Sequence, residues 1–229
     1  YVREQLAEKY GEDTLAERGF RVITTLDWEL QKAAEEIVAE KAAHNTEAFN
    51  ARNAGLIALD PKTGDLLSMV GSRNYFDEEI DGNFNTTLAP RQPGSSIKPF
   101  VYASAFSKGY TPETILYDVR TQFSTACPPD TLNSISPCYS PNNYNNKFKG
   151  PITIRNALAQ SLNIPDDKTL YLTGLKDAIK LAGDLGVTTL NDPDRLGLTL
   201  VLGGGEVRLL EHTGAYGAFA NEGILAKRR

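Results

Sequence analysis

The sequence predicts a helix-rich α+β fold, and three observations support this class. Several segments place apolar residues at helical spacing, most clearly the segment that begins at Ser95. Two short apolar segments, 54–59 and 66–70, are separated by turn residues and predict a β-hairpin. The composition of the 229 residues, with 41% hydrophobic and 23% charged, is that of a globular protein. A chain of this size can form one large domain and a smaller piece.

Charge and composition exclude several classes of protein. The net charge of −5 argues against a nucleic-acid-binding protein and does not favour an anionic membrane surface. No apolar run is long enough to span a bilayer, and no signal peptide is recognisable. No metal or cofactor is expected, because the two histidines are far apart and no Cys-x-x-Cys occurs. Since the chain begins with Tyr1, we expect it to be a piece of a longer protein with any anchor upstream.

Residues 1–52 are predicted to form a linker region without chemistry of its own, and residues 53–229 the main domain. Apolar residues at helical spacing predict a helix over 1–10. The β-branched residues of 20–26 predict a strand. Asp27 then caps a helix expected to run from Trp28 to about Ala43.

The main domain is predicted to begin with the hairpin. Residues 60–65 have strong turn chemistry, and 72–92 form a long polar loop. A helix with a buried apolar stripe follows from Ser95 to Gly109. Residues 110–150, called the insertion below, are predicted to be irregular, and loops of this length are usually functional.

The only two cysteines, Cys127 and Cys138, lie in the insertion. A disulfide between them would contribute roughly 3 kcal/mol by restricting the unfolded chain. Such a bond would suit an oxidising, extracytoplasmic location. The alternative is a pair of free thiols.

The last part of the chain is predicted to be helical. Helices are expected over about 153–160 and 175–185, and Pro165 is expected to break or restrain the end of the first. Three glycines, 203–205, precede another helix that carries Val207 and Leu210. They lack the Lys-Ser/Thr of a phosphate loop, so we expect a tight turn into a closely packed helix.

The first candidate for catalysis is the pair Ser95 and Lys98. Pro93 and Gly94 form a turn that places Ser95 at the start of a helix, and Lys98 shares its face. A serine hydroxyl needs an adjacent base, and a lysine in a dry pocket can be that base. The alternative is an exposed serine and a solvated lysine, since Ser-x-x-Lys occurs about once by chance in such a chain.

The second candidate is Ser161-Leu162-Asn163. Ser161 can pass a proton, and the carboxamide of Asn163 can both donate and accept a hydrogen bond. The alternative is a polar cluster at the end of a helix. Ser-x-x-Lys followed by Ser-x-Asn is nevertheless the order found in active-site serine penicilloyl transferases, in which a Lys-Thr-Gly comes third.

The flanking residues make the resemblance specific. Residues 91–100 resemble the nucleophile segment of bifunctional (class A) penicillin-binding proteins, and residues 156–165 resemble their second motif. Residues 21–27 are similar to the segment that joins the glycosyltransferase and transpeptidase domains of these proteins. The chain therefore resembles a class A transpeptidase domain, truncated before Lys-Thr-Gly. The implied fold is that of penicillin-binding protein transpeptidases and β-lactamases, with only the first hairpin of the sheet present.

The resemblance implies a D,D-transpeptidase that cross-links peptidoglycan stem peptides and is inhibited by β-lactams. Ser95 would attack the D-Ala–D-Ala bond, with Lys98 as its base. Ser161 would relay a proton to the leaving amine, and Asn163 would hold Lys98 and the substrate amide. The backbone N–H of Ser95 would donate to the oxyanion.

The implied setting is the bacterial cell envelope, on the extracytoplasmic face of the cytoplasmic membrane. An upstream glycosyltransferase domain and membrane anchor are expected in the parent protein. Three alternatives remain: a D,D-carboxypeptidase or β-lactamase-type hydrolase, a non-catalytic penicillin-binding sensor or interaction module, and an inert piece.

Two features depart from the family pattern. The only Lys-Thr-Gly, residues 62–64, lies in the hairpin turn, so no catalytic role is expected for Lys62. We expect the cleft to need further strands, or a partner chain, before it works. Asp166 and Asp167 stand where the family usually has small or apolar residues, and two adjacent acids are not expected to be buried unpaired.

Overall fold

The computed structural model describes residues 1–228. Helices dominate and the strands are short, in agreement with the predicted α+β class. The α-helices are α1 (Val2–Tyr10), α2 (Glu12–Arg18), α3 (Trp28–Phe49), α4 (Lys98–Ser107), α5 (Ile154–Ala159), α6 (Asn163–Thr173), α7 (Leu175–Asp184), α8 (Pro193–Leu196) and α9 (Leu209–Ala220). The strands are β1 (Leu56–Leu59), β2 (Leu66–Val70), β3 (Pro90–Arg91), β4 (Ile115–Asp118), β5 (Gly150–Thr153) and β6 (Val207–Arg208). Short 3₁₀ helices cover Glu78–Ile80, Gly94–Ile97 and Gly197–Leu202.

Within the described residues the strands form three separate antiparallel pairs: β1 with β2, β3 with β6, and β4 with β5. The β1–β2 pair is the predicted hairpin, with Leu56 opposite Val70. The other two pairs were not predicted. Because β4 and β5 lie at its two ends, the insertion is less irregular than expected.

The N-terminal region differs from its prediction in three places, the first of which is α2, a helix that was not predicted. Residues 20–26 form no strand, and Ile23 is 84% exposed. The Thr25 hydroxyl of this segment donates to the Leu66 carbonyl of β2 at 2.8 Å. The amide of Asp27, which follows the segment, donates to the Leu67 carbonyl at 2.9 Å. Asp27 caps α3 as predicted, since its carboxylate accepts from the Leu30 amide at 3.0 Å. The helix then continues to Phe49, beyond the predicted end near Ala43.

The main core surrounds α4. Its predicted apolar stripe is buried, with Ile97, Phe100 and Val101 each 1% exposed. Helices α6, α7 and α9 and the 3₁₀ helix Gly197–Leu202 pack around it. Core residues from these elements are Leu170, Ala178, Ala182, Leu200, Val201 and Ala215.

The prediction that Pro165 breaks a helix is wrong. Pro165 lies in the first turn of α6, where a backbone N–H has no partner within the helix in any case. The helical run instead breaks between Ala159 and Asn163. Val207, predicted to be helical, lies in β6 just before α9.

Two further sequence predictions concern local contacts. Cys127 and Cys138 are joined by a disulfide, with Cα atoms 5.6 Å apart. Gly203 has a φ of +89°, and a Cβ there would stand 2.4 Å from the Cα of Gly94. The glycine run is therefore the tight turn that was predicted, and it lies directly against the turn that precedes Ser95.

None of the helices within residues 1–228 has the length and apolarity that a membrane span requires.

Candidate active site

Ser95 lies in the 3₁₀ helix Gly94–Ile97, which runs directly into α4. Its side chain is exposed. Among the described residues, neither the hydroxyl nor the backbone amide of Ser95 is hydrogen-bonded. Both groups are therefore available to a substrate.

Helix α9 and strand β6 hold this segment in place. The Tyr216 hydroxyl donates to the backbone carbonyl of Ser96 at 2.6 Å. The Ser96 hydroxyl is 2.9 Å from Nε2 of His212, and burial lowers the pKa of that imidazole. Upstream, Arg91 pairs with Val207 across the two-residue β3–β6 ladder. Ser95 is thus presented from a turn that is fixed on both sides.

Lys98 is buried, with 1% of its surface exposed. Its Nζ donates to the Ser161 hydroxyl at 2.9 Å, to the Ser161 carbonyl at 3.1 Å and to Oδ1 of Asn163 at 3.1 Å. Lys98, Ser161 and Asn163 therefore lie together, as the sequence predicted. The Ser95 hydroxyl is not one of the hydrogen-bond partners of Nζ.

A carboxylate is the nearest partner of Lys98. Oδ2 of Asp166 lies 2.5 Å from Nζ, and both side chains are at most 1% exposed. The hydroxyl of Tyr102, one turn after Lys98 in α4, donates to Oδ1 of the same carboxyl group. Burial raises the pKa of Asp166 to about 6, while Lys98 and Tyr102 act in the opposite direction. Lys98 thus faces a buried carboxyl group as well as the neutral acceptors on Ser161 and Asn163.

Asp167 is also fully buried, which the sequence did not predict. The Tyr139 hydroxyl donates to its Oδ1 at 3.2 Å, and its Oδ2 has no hydrogen-bond partner among the described residues. Burial raises the pKa of Asp167 to about 8, with the Tyr139 hydrogen bond opposing. The two neighbouring acids therefore differ, since Asp167 keeps its proton at a pH where Asp166 is ionised.

Ser161 has an unusual backbone. Its φ is +52°, a left-handed conformation that costs a non-glycine residue about 1 kcal/mol. The Ser161 amide donates to the Leu158 carbonyl at 3.0 Å, and the Leu162 amide donates to the Ala157 carbonyl at 3.1 Å. These two bonds form a Schellman motif that ends α5, with serine at the position that glycine usually takes. In this conformation both the hydroxyl and the carbonyl of Ser161 reach Lys98.

Asn163, the first residue of α6, is oriented by the insertion. Its Nδ2 donates to the Asn142 carbonyl at 2.9 Å, which leaves Oδ1 for Lys98 and one N–H free. The next residue of the insertion, Asn143, donates from Nδ2 to both carboxylate oxygens of Asp118 in β4, at 2.8 and 3.0 Å. The insertion is held against α6 by the Asn142 carbonyl and by Oδ1 of Asn143, which accepts from the Ile164 amide at 3.3 Å.

Several residues around Lys98 were not predicted to belong to the site. Tyr102 is four residues after Lys98 and therefore on the same helix face, a signal that could have found it. Asn142 and Tyr139 reach the site through the fold of the insertion, so no local pattern indicates them. Lys62 lies in the β1–β2 turn as predicted, where its amide donates to the side chain of Asp60 at 2.7 Å.

Comparison with known proteins decides the family. The model of the penicillin-binding protein transpeptidase domain matches residues 54–227. The chain belongs to this family. The matched segment includes all four predicted site residues, Ser95, Lys98, Ser161 and Asn163, whose catalytic roles remain predictions.

Related penicillin-binding proteins extend beyond this chain. Penicillin-binding protein 2D of Bacillus subtilis (strain 168) is 35% identical over 222 residues, which cover 96% of this chain and 30% of that protein. The chain thus spans less than a third of the length of this curated relative.

Solved structures confirm the predicted transpeptidase fold. Penicillin-binding protein 1A from Haemophilus influenzae matches with a TM-score of 0.82 at 19% identity, covering all of this chain and 46% of that one. The PonA1 protein from Mycobacterium tuberculosis, solved in complex with penicillin V, matches with a TM-score of 0.77 at 22% identity. That match covers 99% of this chain and 58% of PonA1.

Proposed function

We propose that this penicillin-binding domain carries the acylation site of a D,D-transpeptidase, with Ser95 as the nucleophile. The observation that carries the proposal is the position of Lys98. Its buried Nζ contacts both Ser161 and Asn163, while the unbonded hydroxyl of Ser95 lies one helical turn earlier. The candidate base and the candidate proton relay are thus in contact, and the proposed nucleophile precedes the base by three residues, a spacing that makes side chains neighbours on a helix.

In the acylation step, Oγ of Ser95 attacks the carbonyl carbon of the penultimate D-Ala of a stem peptide. The hydroxyl proton passes to Lys98, which must be a free amine to accept it. That proton then moves through the Ser161 hydroxyl to the amine of the last D-Ala, which leaves as the peptide bond breaks. Asn163 keeps Lys98 in place, and the free backbone N–H of Ser95 donates to the negatively charged oxygen.

The resulting ester is resolved by a second nucleophile. An amine of a neighbouring stem peptide would give the cross-link, and water would give the hydrolysis product of a carboxypeptidase. β-Lactams would acylate the same serine. The penicillin V complex of PonA1, which has the same fold, supports this part of the proposal.

We place the domain on the extracytoplasmic face of the bacterial cytoplasmic membrane, in a parent protein with an upstream glycosyltransferase domain and anchor. The Cys127–Cys138 disulfide supports an oxidising compartment. Residues 1–52 would be the linker between the two domains, a boundary close to the start of the family match at residue 54.

Intact-mass analysis after incubation with benzylpenicillin tests the nucleophile. The 229-residue chain without substitutions, called the parent chain below, should gain the mass of one β-lactam, and Ser95→Ala should gain none. Ser96→Ala is the matched control, because Ser96 is also exposed and contacts His212. Ser96→Ala should still form the adduct. Labelling that is absent from the parent, or that depends on Ser96 instead of Ser95, would contradict the proposal.

A second assay distinguishes transfer from hydrolysis. The acyl-enzyme is formed from a peptide that ends in a D-Ala thioester, from which a thiol leaves in place of the last D-Ala. Products are measured with and without a D-amino acid as acceptor amine. A transpeptidase gives the aminolysis product, whereas a carboxypeptidase gives the free acid in both cases. A stable adduct with neither product would support the sensor alternative.

A further inference from the structure

We propose that Asp166 is a positioning residue that holds Lys98 as an ammonium ion and so sets the pH above which Lys98 can act as a base. This inference rests on the proposed function of Lys98 as the base for Ser95. It concerns a carboxylate that has no part in the proton transfers described above.

Geometry supports this role. The 2.5 Å contact between Asp166 Oδ2 and Lys98 Nζ is the shortest that Nζ makes, and both groups are removed from water. A buried ion pair is screened little by solvent, so each charge strongly favours the other. The other acceptors around Nζ, on Ser161 and Asn163, are neutral. Asp166 is therefore the one negative partner in direct contact with Lys98 among the described residues.

Other titratable groups surround the pair, and they act less directly. Tyr102 of α4 donates to Asp166 and keeps its own proton, because burial raises its pKa. The 3₁₀ helix Gly197–Leu202, which also packs on α6, has no titratable side chain. Asp118 of β4 and Asp167 of α6 also act on the Lys98–Asp166 pair. Farther from the pair, Tyr139 of the insertion donates to Asp167, and Lys168 of α6 interacts with Asp118.

The pairing has a chemical consequence. An ammonium ion cannot accept the Ser95 proton, so Lys98 must first release one proton, either to Asp166 or to solvent. While Asp166 is ionised it opposes that release. Removal of its charge should let Lys98 become a free amine at lower pH.

NMR titration of Lys98 tests this directly. The chain is labelled with ¹³C at lysine Cε, and Lys98→Met assigns the resonance. In Asp166→Asn the titration midpoint of Lys98 should fall by about 1 to 3 pH units, the effect of removing a close opposite charge. An unchanged midpoint in Asp166→Asn would overturn the inference.

Asp167→Asn is the matched control, because Asp167 is the next residue in α6 and is equally buried. It lacks the direct contact with Nζ, so the Lys98 midpoint should move by less than half as much. An equal shift in the two variants would assign the effect to general burial of acids and overturn the inference. Asp166→Glu, which retains the charge, should keep most of the parent midpoint.

A reciprocal measurement does not depend on Asp166→Asn folding. In Lys98→Met, the carboxyl carbon of Asp166 should titrate at higher pH than in the parent, because the stabilising cation is gone. An unchanged Asp166 midpoint would also overturn the inference. These midpoints are measured without any acylation, so a chain that fails to bind benzylpenicillin would refute the proposed function and leave this test intact.

Where acylation occurs, its pH profile gives a functional readout. The acid limb of the acylation rate should move to lower pH in Asp166→Asn by the same amount as the Lys98 midpoint. A variant that was merely less stable would lower the rate at every pH without moving this limb.

Discussion

Asp167 is a carboxyl group whose chemistry is changed mainly by burial. Its pKa of about 8 in the folded chain lies far above the value of about 4 in an unfolded chain. Below pH 4 the folded and the unfolded chain both hold this proton, so Asp167 does not lower the free energy of unfolding. Between pH 4 and 8 the unfolded chain releases the proton first, so Asp167 lowers the free energy of unfolding by up to about 1.4 kcal/mol per pH unit.

Asp167→Asn should remove this pH dependence. Relative to the parent, the variant should gain stability as the pH rises from 5 to 7.5, because the amide has no proton to lose. Urea unfolding at the two pH values measures the change. The control is Asp177→Asn, the same substitution at an exposed carboxylate of α7, against which the pH dependence of Asp167→Asn is compared. A constant difference for Asp167→Asn as well would contradict the prediction.

The four residues of the candidate site could be named from the sequence because each motif is local. The structure brings Lys98, Ser161 and Asn163 together, while their catalytic roles remain predictions. Ser95 lies in the 3₁₀ helix that leads into α4, three residues before Lys98 at the start of α4. Ser161 lies in the break between α5 and α6, and Asn163 begins α6. The contact of Lys98 with Asp166 could not be predicted, because the cost of burying an acid argues against it. Only the fold, which places Lys98 and Tyr102 opposite α6, offsets that cost.

At the scale of elements, the glycine run 203–205 packs directly against the turn that precedes Ser95. Gly203→Ala should destabilise the chain by about 2 to 4 kcal/mol, because the new methyl group meets Gly94 and the left-handed φ is unfavourable for alanine. Thermal or urea unfolding measures the loss.

Gly183→Ala is the matched control. Gly183 lies in α7, is exposed, and has nothing within 4 Å of the position of a new Cβ. Alanine there should stabilise the chain by up to about 1 kcal/mol through its higher helix propensity. Similar effects of the two substitutions would contradict the packing of Gly203 against Gly94.

Elements with strong local signals were predicted, and those that depend on pairing were not. Apolar residues at helical spacing predicted the buried stripe of α4, and the turn residues 60–65 predicted the turn between β1 and β2. Residues 20–26 have the composition of a strand, yet in the described part of the chain no neighbouring strand pairs with them. Composition alone therefore did not suffice to form a strand. Conversely β4 and β5 are four residues each, and only their mutual pairing identifies them.

At the scale of the whole molecule, the Cys127–Cys138 disulfide of the insertion should contribute to the free energy of unfolding of the entire chain. Replacing Cys127 and Cys138 together by serine should lower the free energy of unfolding by about 3 kcal/mol, since the unfolded chain is no longer restricted. The melting temperature of the parent, with and without reductant, measures the effect. Reductant should leave the double variant unchanged, and a parent that is equally insensitive would refute the prediction.

The family and fold of the whole chain followed from two short motifs and their flanking residues. Composition and periodicity alone gave a helix-rich α+β class without a function. The three-dimensional arrangement adds what no motif contains: an insertion that orients Asn163, and α9, which holds the turn at Ser95.

The left-handed Ser161 has a consequence for protein engineering. A procedure that chose residues only to suit the backbone would place glycine at this position, and the helix end would lose nothing. The redesigned protein would fold at least as well, but the hydroxyl that contacts Lys98 would be gone. Stability scores alone would therefore remove a hydroxyl to which we assign the proton relay of the proposed acylation, and position 161 should be held fixed in any redesign of this domain.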